Sequence, residues 1–175
     1  MKQLSKTFSL IAAIAAVSIS LFSFKTDVKK PTATSYTITL VGIERVGAND
    51  TWTWTLTNTN PGNGSNETLQ NVSHWDLPLC PAAEAALVSA EYSFDGANWH
   101  AATTSVDRDP SIRQCTSVDV LKYDHGTTGG NSTYYRATFN ADFTVNPFAT
   151  SWIKNGGGAQ GCNLYYFSGT GVRLD

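Results

Sequence analysis

The chain has 175 residues, 41% of them hydrophobic and 11% aromatic, which suits one ordinary domain with a real core and excludes wholesale disorder. Lys and Arg number 12 against 14 Asp and Glu, a formal charge of -2. No basic field exists to neutralise a phosphate backbone, so no nucleic-acid partner is expected.

Lys2 and Lys6 precede an apolar, charge-free run from Phe8 to Phe24, followed at once by Lys25, Asp27, Lys29 and Lys30. That is a secretory signal layout, and the run falls short of the roughly 20 apolar residues of a spanning helix. The expected organisation is a signal peptide over residues 1–25, a linker over 26–34 and a single domain over 35–175, with cleavage between Ser18 and Thr26. An uncleaved single-span anchor is the rival reading. The protein is therefore expected to be secreted, extracellular or on the cell surface, or periplasmic, with no transmembrane anchor after cleavage. Such compartments permit disulfides. Cys80, Cys115 and Cys162 allow one bridge; Cys80–Cys115 is expected, with Cys80–Cys162 the alternative, and Cys80→Ala should then lower stability sharply. No C-x-x-C pair or suitably spaced histidine supports a zinc site on these cysteines.

From Ser35 onward, polar and apolar residues alternate. Ser35–Ile43 reads as a half-buried strand, and in Thr51–Thr57 every even position is apolar and every odd one is threonine, which puts Trp52, Trp54 and Leu56 on one face. The threonine row needs only β propensity to explain it, so an ice-binding sheet is not expected. Asn60–Asn66 is a loop by its Pro, Gly and Asn content. Further strands are expected over Leu69–Leu77, Leu87–Phe94, Trp99–Thr104, Val118–Tyr123, Tyr134–Val145, Ser151–Lys154 and Asn163–Phe167, with a tight Asp95-Gly96 hairpin turn and a single helical turn over Pro81–Ala86. Many short strands without intervening helices give an all-β class: an antiparallel, immunoglobulin-like β-sandwich, with a jelly roll or small barrel as alternative.

No catalytic motif is present and no cofactor is implied. Indole and phenol rings can stack on sugars, and Trp99, Tyr135 and Tyr166 are the candidate ligand contacts; Trp99 lies at a hairpin edge, and one member of each adjacent tyrosine pair must leave the core. No metal site is expected, though Asp107 and Asp109 form a Ca²⁺ alternative against a solvated ion pair with Arg108 or Arg113. Ser73-His74-Trp75-Asp76 contains residue types of nucleophilic triads, but such triads join distant positions. His74 reads as structural, and a hydrolase using His74 with Asp76 or Asp124 is the rival. Several N-x-S/T sequons occur and are expected to be idle.

The succession Ser73-His74-Trp75-Asp76-Leu77 with Cys80, then Asp109-Pro110-Ser111 with Cys115, then Leu121-Lys122-Tyr123-Asp124 resembles a loosely defined group of secreted domains. Their marks are an S-H-W-x-L strand, a D-P-S segment and a G-(I/L)-K-(aromatic)-D strand, whose glycine is replaced here by Val120. Trp152-Ile153-Lys154-Asn155-Gly156-Gly157 matches their K-x-G turn, and the likeness covers Tyr36 to Gly171. It implies an exported bacterial β-sandwich and brings no activity. The expected function is a non-enzymatic binding or structural module attaching to a polysaccharide or a surface protein, or else a strand-pairing subunit.

Overall fold

Threonine alternating with large apolar residues makes β2 the best-defined strand of the chain. Its even side chains are buried and its odd ones half-buried, as a two-residue period demands. In the computed structural model, which describes residues 36–156 and 163–174, the elements are β1 (Tyr36–Val46), β2 (Asn49–Asn58), β3 (Val72–Pro78), α1 (Pro81–Ala86), β4 (Leu87–Ser93), β5 (His100–Ala101), β6 (Val106–Asp107), β7 (Val120–Tyr123), β8 (Ser132–Phe139), β9 (Asp142–Asn155) and β10 (Asn163–Leu174). They form two five-stranded antiparallel sheets, ordered β1-β2-β8-β4-β5 and β10-β9-β3-β7-β6. The fold is the expected all-β sandwich; both sheets are open, so it is not a closed barrel. The expected leader and linker, and Cys162, lie outside the described residues. Among the described residues no helix is long and apolar enough to cross a membrane.

The inner faces meet in an aromatic core. Trp75 of the second sheet packs against Trp54 and Tyr135 of the first and against Tyr123 and Phe167 of its own, with ring centroids 5.0 to 5.8 Å apart. Three polar tips that enter this core find backbone partners: Trp54 Nε1 donates to the Ser168 carbonyl, Tyr123 to that of Arg136 and Tyr135 to that of His125, whereas the Trp52 and Trp75 indole N–H groups are buried without one. Burial first of all pushes the Tyr123, Tyr135 and Tyr165 phenols up, Tyr165 to about 12. A raised folded-state pKa favours the protonated phenol, so this contribution is complete below the unfolded value near 10 and is lost as pH rises through the folded values. Absorbance titration of the seven tyrosines is expected to show these three, and Tyr36, whose phenol burial also raises, ionising late and together with unfolding; smooth titration of all seven near pH 10 in folded protein would contradict it.

Several strand boundaries differ from the alternation. The segment Tyr134–Val145 is two strands, because the chain leaves the first sheet after Phe139 and enters the second at Asp142. Phe139, Ala141 and Phe143 stay buried across this crossing. Inward positions of both sheets face one shared core, so the period runs on unbroken while the chain changes sheets. Strand Trp99–Thr104 shrinks to His100–Ala101, and β6 had no sequence signature at two residues. The Asp95-Gly96 turn is a longer loop: Asp95 accepts the Ala97 and Asn98 N–H groups and Gly96 takes φ +75°. In β1 a bulge between Leu40 and Gly42 breaks the alternation and leaves Val41 exposed.

Candidate functional site

On β3, Trp75 and Leu77 point into the core, so His74 and Asp76 must point to the outer face of the second sheet. An outer face normally meets water, yet His74 and Asp76 are buried. The segment between β6 and β7 accounts for this. It coils through successive turns, with Ile112 and Cys115 N–H groups bonded back to the Asp109 and Ile112 carbonyls, and it buries Ile112 outside the main core. Asp109 and Ser111 are thereby laid over β3, beside Lys122 of β7, whose backbone pairs with that of Asp76.

His74 Nε2 is the centre of this cluster. Asp109 Oδ2 lies 2.9 Å from it, Asp76 Oδ2 3.3 Å and Ser111 Oγ 3.0 Å. The Ser111 hydroxyl and N–H donate to Asp109 at 2.9 and 2.8 Å. Lys122 Nζ reaches Asp109 at 3.6 Å and the exposed Asp124 at 2.8 Å. The Asp76 carboxylate is fully buried and neither of its oxygens accepts a hydrogen bond; its approach to His74 has the distance of an ion pair without hydrogen-bond geometry. Burial pushes Asp76 above the ordinary carboxylate range, with His74 pulling it partly back. Burial acts the same way on Asp109, but the Ser111 N–H and hydroxyl, Lys122 and His74 outweigh it and hold that carboxyl low. For Lys122, burial is outweighed by Asp124, Asp109 and Asp76, which keep the ammonium charged.

The arrangement is unlike a nucleophilic relay. A relay places serine on one imidazole nitrogen and a carboxylate on the other, whereas serine and both carboxylates here meet the same Nε2. Nδ1 faces the hydroxyl of Ser73 at 3.5 Å. Asp124 pairs with Lys122 and is exposed, so the hydrolase pairing of His74 with Asp124 has no direct contact behind it. A cleft of about 200 Å³ borders the cluster, lined among others by Asp107, Arg108, Asp109, Val120, Lys122 and Asp124.

Comparison with protein-family models, with curated proteins and with solved structures finds no match to this chain.

The three aromatic candidates are not brought together. Tyr135 is buried in the core and cannot meet a surface ligand; in the phase of β8 its neighbour Tyr134 takes the outward position. Trp99, beside the first sheet, is half-buried under the Arg136 guanidinium, 4.0 Å from the ring centroid, and Arg136 is held by Glu91. Tyr166 on β10 is 69% exposed. It belongs to an apolar strip on the outer face of the β9–β10 hairpin with Phe148, 75% exposed, and Leu164. Tyr166 pairs with Thr150 and Leu164 with Trp152, so Phe148 and Trp152 are its diagonal neighbours, each two residues from Thr150. Sequence reasoning passed over Phe148 because Pro147 interrupts the alternation there, and over Trp152 because a strand period does not tell outward from inward.

The Ca²⁺ pair also separates. Asp107 is exposed and takes the Ser105 hydroxyl, while Asp109 turns away to His74. Neither expected cysteine pairing of Cys80 holds, because Cys80 is a free, exposed thiol: it follows the last buried residue of the β3 exit, Leu79, and faces solvent at the start of α1. Cys80→Ser is accordingly expected to move the melting temperature by less than about 2 °C, the size of an ordinary surface substitution; a drop of 5 °C or more in a thermal scan would contradict it.

Proposed function

We propose that the chain is an exported, non-enzymatic binding module that attaches to a glycan through the outer face of the β9–β10 hairpin. The observation that carries the reading is the strip itself: Phe148 and Tyr166 project from one face, and among the described residues neither ring stacks on another. Ring faces pack against the C–H faces of sugars while flanking polar groups orient the hydroxyls; Thr150 and Asn146 sit beside the rings on β9. Exposed apolar surface gathered on one hairpin, rather than scattered, is the mark of an interaction site.

Export is supported by the leader pattern, and an oxidising compartment would leave one bridge for three cysteines. With Cys80 free, this reading pairs the two remaining cysteines, Cys115 and Cys162. Mass mapping of the non-reduced, alkylated protein is expected to find label on Cys80 alone.

The attachment is tested by retention of the secreted chain on a panel of insoluble and soluble polysaccharides. Retention on one of them is expected to fall at least tenfold in both Tyr166→Ala and Phe148→Ala and to persist in Trp99→Ala. Retention on none, or retention indifferent to both substitutions, would overturn the reading. Val41, Ile43 and Val46 are exposed along the edge strand β1, which favours strand pairing with a second copy as the other reading; a concentration-dependent dimer on a sizing column would support it.

A further inference from the structure

Three oxygens converge on one imidazole nitrogen in the His74 cluster, and a single N–H cannot serve them all. Ser111 spends its proton on Asp109, so its oxygen turns lone pairs toward Nε2, as do the two carboxylates. Asp76, with no exposed surface, ends with two oxygens that accept nothing, and leaving a buried carboxylate in that state is costly. The Lys122 ammonium, 3.6 Å from Asp109 and 2.8 Å from Asp124, makes no hydrogen bond to either Asp76 oxygen. Among the described residues, His74, Asp76 and Asp109 are the group whose ligand atoms lie close enough to share one ion.

We propose that His74 Nε2, Asp76 Oδ2 and Asp109 Oδ2 bind a divalent transition-metal ion of the zinc class, with Ser111 Oγ or water as fourth ligand. Nitrogen with carboxylate oxygen is a zinc donor set, and bonds of about 2.0–2.2 Å in a tetrahedron set the ligands about 3.3–3.5 Å apart. The observed 2.9 to 3.3 Å about Nε2 needs only a few tenths of an ångström of opening. Ca²⁺ fits poorly, since it takes six to eight oxygens. The neighbouring cleft gives an ion its way in past Asp109 and Lys122, and Lys122 is free to lean onto Asp124 as the ion's charge arrives. In the metal-bound form the neutral imidazole carries its one proton on Nδ1, on the side of the Ser73 hydroxyl, so that Nε2 gives its lone pair to the ion and the ion serves the oxygens that one N–H cannot. This inference is independent of the glycan reading, because the strip and the cluster share no residue.

The test uses the full secreted chain carrying Cys80→Ser, so that the exposed thiol takes no part, stripped with EDTA and titrated with Zn²⁺ by calorimetry and thermal unfolding. One ion per chain and a higher melting temperature are expected, with affinity falling at least 100-fold in His74→Ala and in Asp76→Asn and unchanged in Asp107→Asn. No binding, or binding that survives both His74→Ala and Asp76→Asn, would overturn the proposal and in the second case point to His100 or His125. Should either variant not fold, Co²⁺ in the unsubstituted cluster decides: the intense visible absorption of a four-coordinate ion, displaced by Zn²⁺, supports the site, and a weak six-coordinate spectrum or none overturns it.

Discussion

Trp75→Ala is expected to lower stability by about 3–5 kcal/mol, the usual range for truncating a large buried aromatic. Trp75 has no exposed surface, and four other rings surround it, two from each sheet. Removing it takes away the piece that both sheets share, so the loss combines apolar burial with a cavity the flanking strands cannot close, each being held in its own hydrogen-bonded ladder. Against a total of about 5–15 kcal/mol for a typical domain, the variant should be marginal or unfolded at 37 °C. Trp75→Phe keeps part of the contact and should cost less. Urea unfolding measures both, and a loss below about 1.5 kcal/mol for Trp75→Ala would show that the core closes over the gap.

Gly126→Ala is expected to cost about 3 kcal/mol, at the upper end for a small residue enlarged in a packed position. A Cβ at this position would stand 1.9 Å from the Val72 carbonyl oxygen and 2.4 Å from its carbon. The obstruction is strand backbone, which cannot rotate aside as a side chain would. The same neighbourhood carries the Val72 N–H bond to the Thr127 carbonyl and the Thr133 hydroxyl bond to the Gly126 carbonyl, so relief of the clash disturbs both. Gly42→Ala is the control: nothing lies within 4 Å of its added carbon, and less than about 0.5 kcal/mol is expected there, as for ordinary surface changes. Equal effects of the two substitutions in urea unfolding would refute the steric account.

The layer structure was legible in the sequence wherever the period of two was clean. Thr51–Thr57 and the inward tryptophans of β2 follow from alternation alone, and Pro81–Ala86 is the single helical turn that its composition predicts. The crossing at Asn140-Ala141 was not legible, since the pattern reports inside and outside and not which sheet a residue serves. The candidate site was legible only in pieces. Asp109-Pro110-Ser111 and Lys122-Tyr123-Asp124 stand out beside Ser73-His74-Trp75-Asp76-Leu77, yet nothing local says that the first folds over the outer face of the third. An alternating strand with His74 and Asp76 on its polar side reads as solvated, because burial of that side is decided by Ile112 and its turns, far along the chain. Of the aromatic candidates Tyr135 is the one the core takes, for a related reason: adjacent tyrosines guarantee that one leaves the core, and phase chooses which, Tyr166 over Tyr165 but Tyr134 over Tyr135.

The double use of β3 has a consequence for how faithfully this chain assembles. Consecutive residues serve opposite ends, Trp75 and Leu77 the apolar interior and His74 and Asp76 the covered polar patch. A slip of one residue against β7 or β9 would swap both sets at once, driving an imidazole and a carboxylate among the tryptophans and stranding an indole beneath Asp109. Neither half of that error is tolerable alone, and no partial compensation is open to the misaligned strand. The alignment of β3 is thus checked twice by the same heptapeptide, and mistakes in it should be rejected during folding rather than carried into the finished protein.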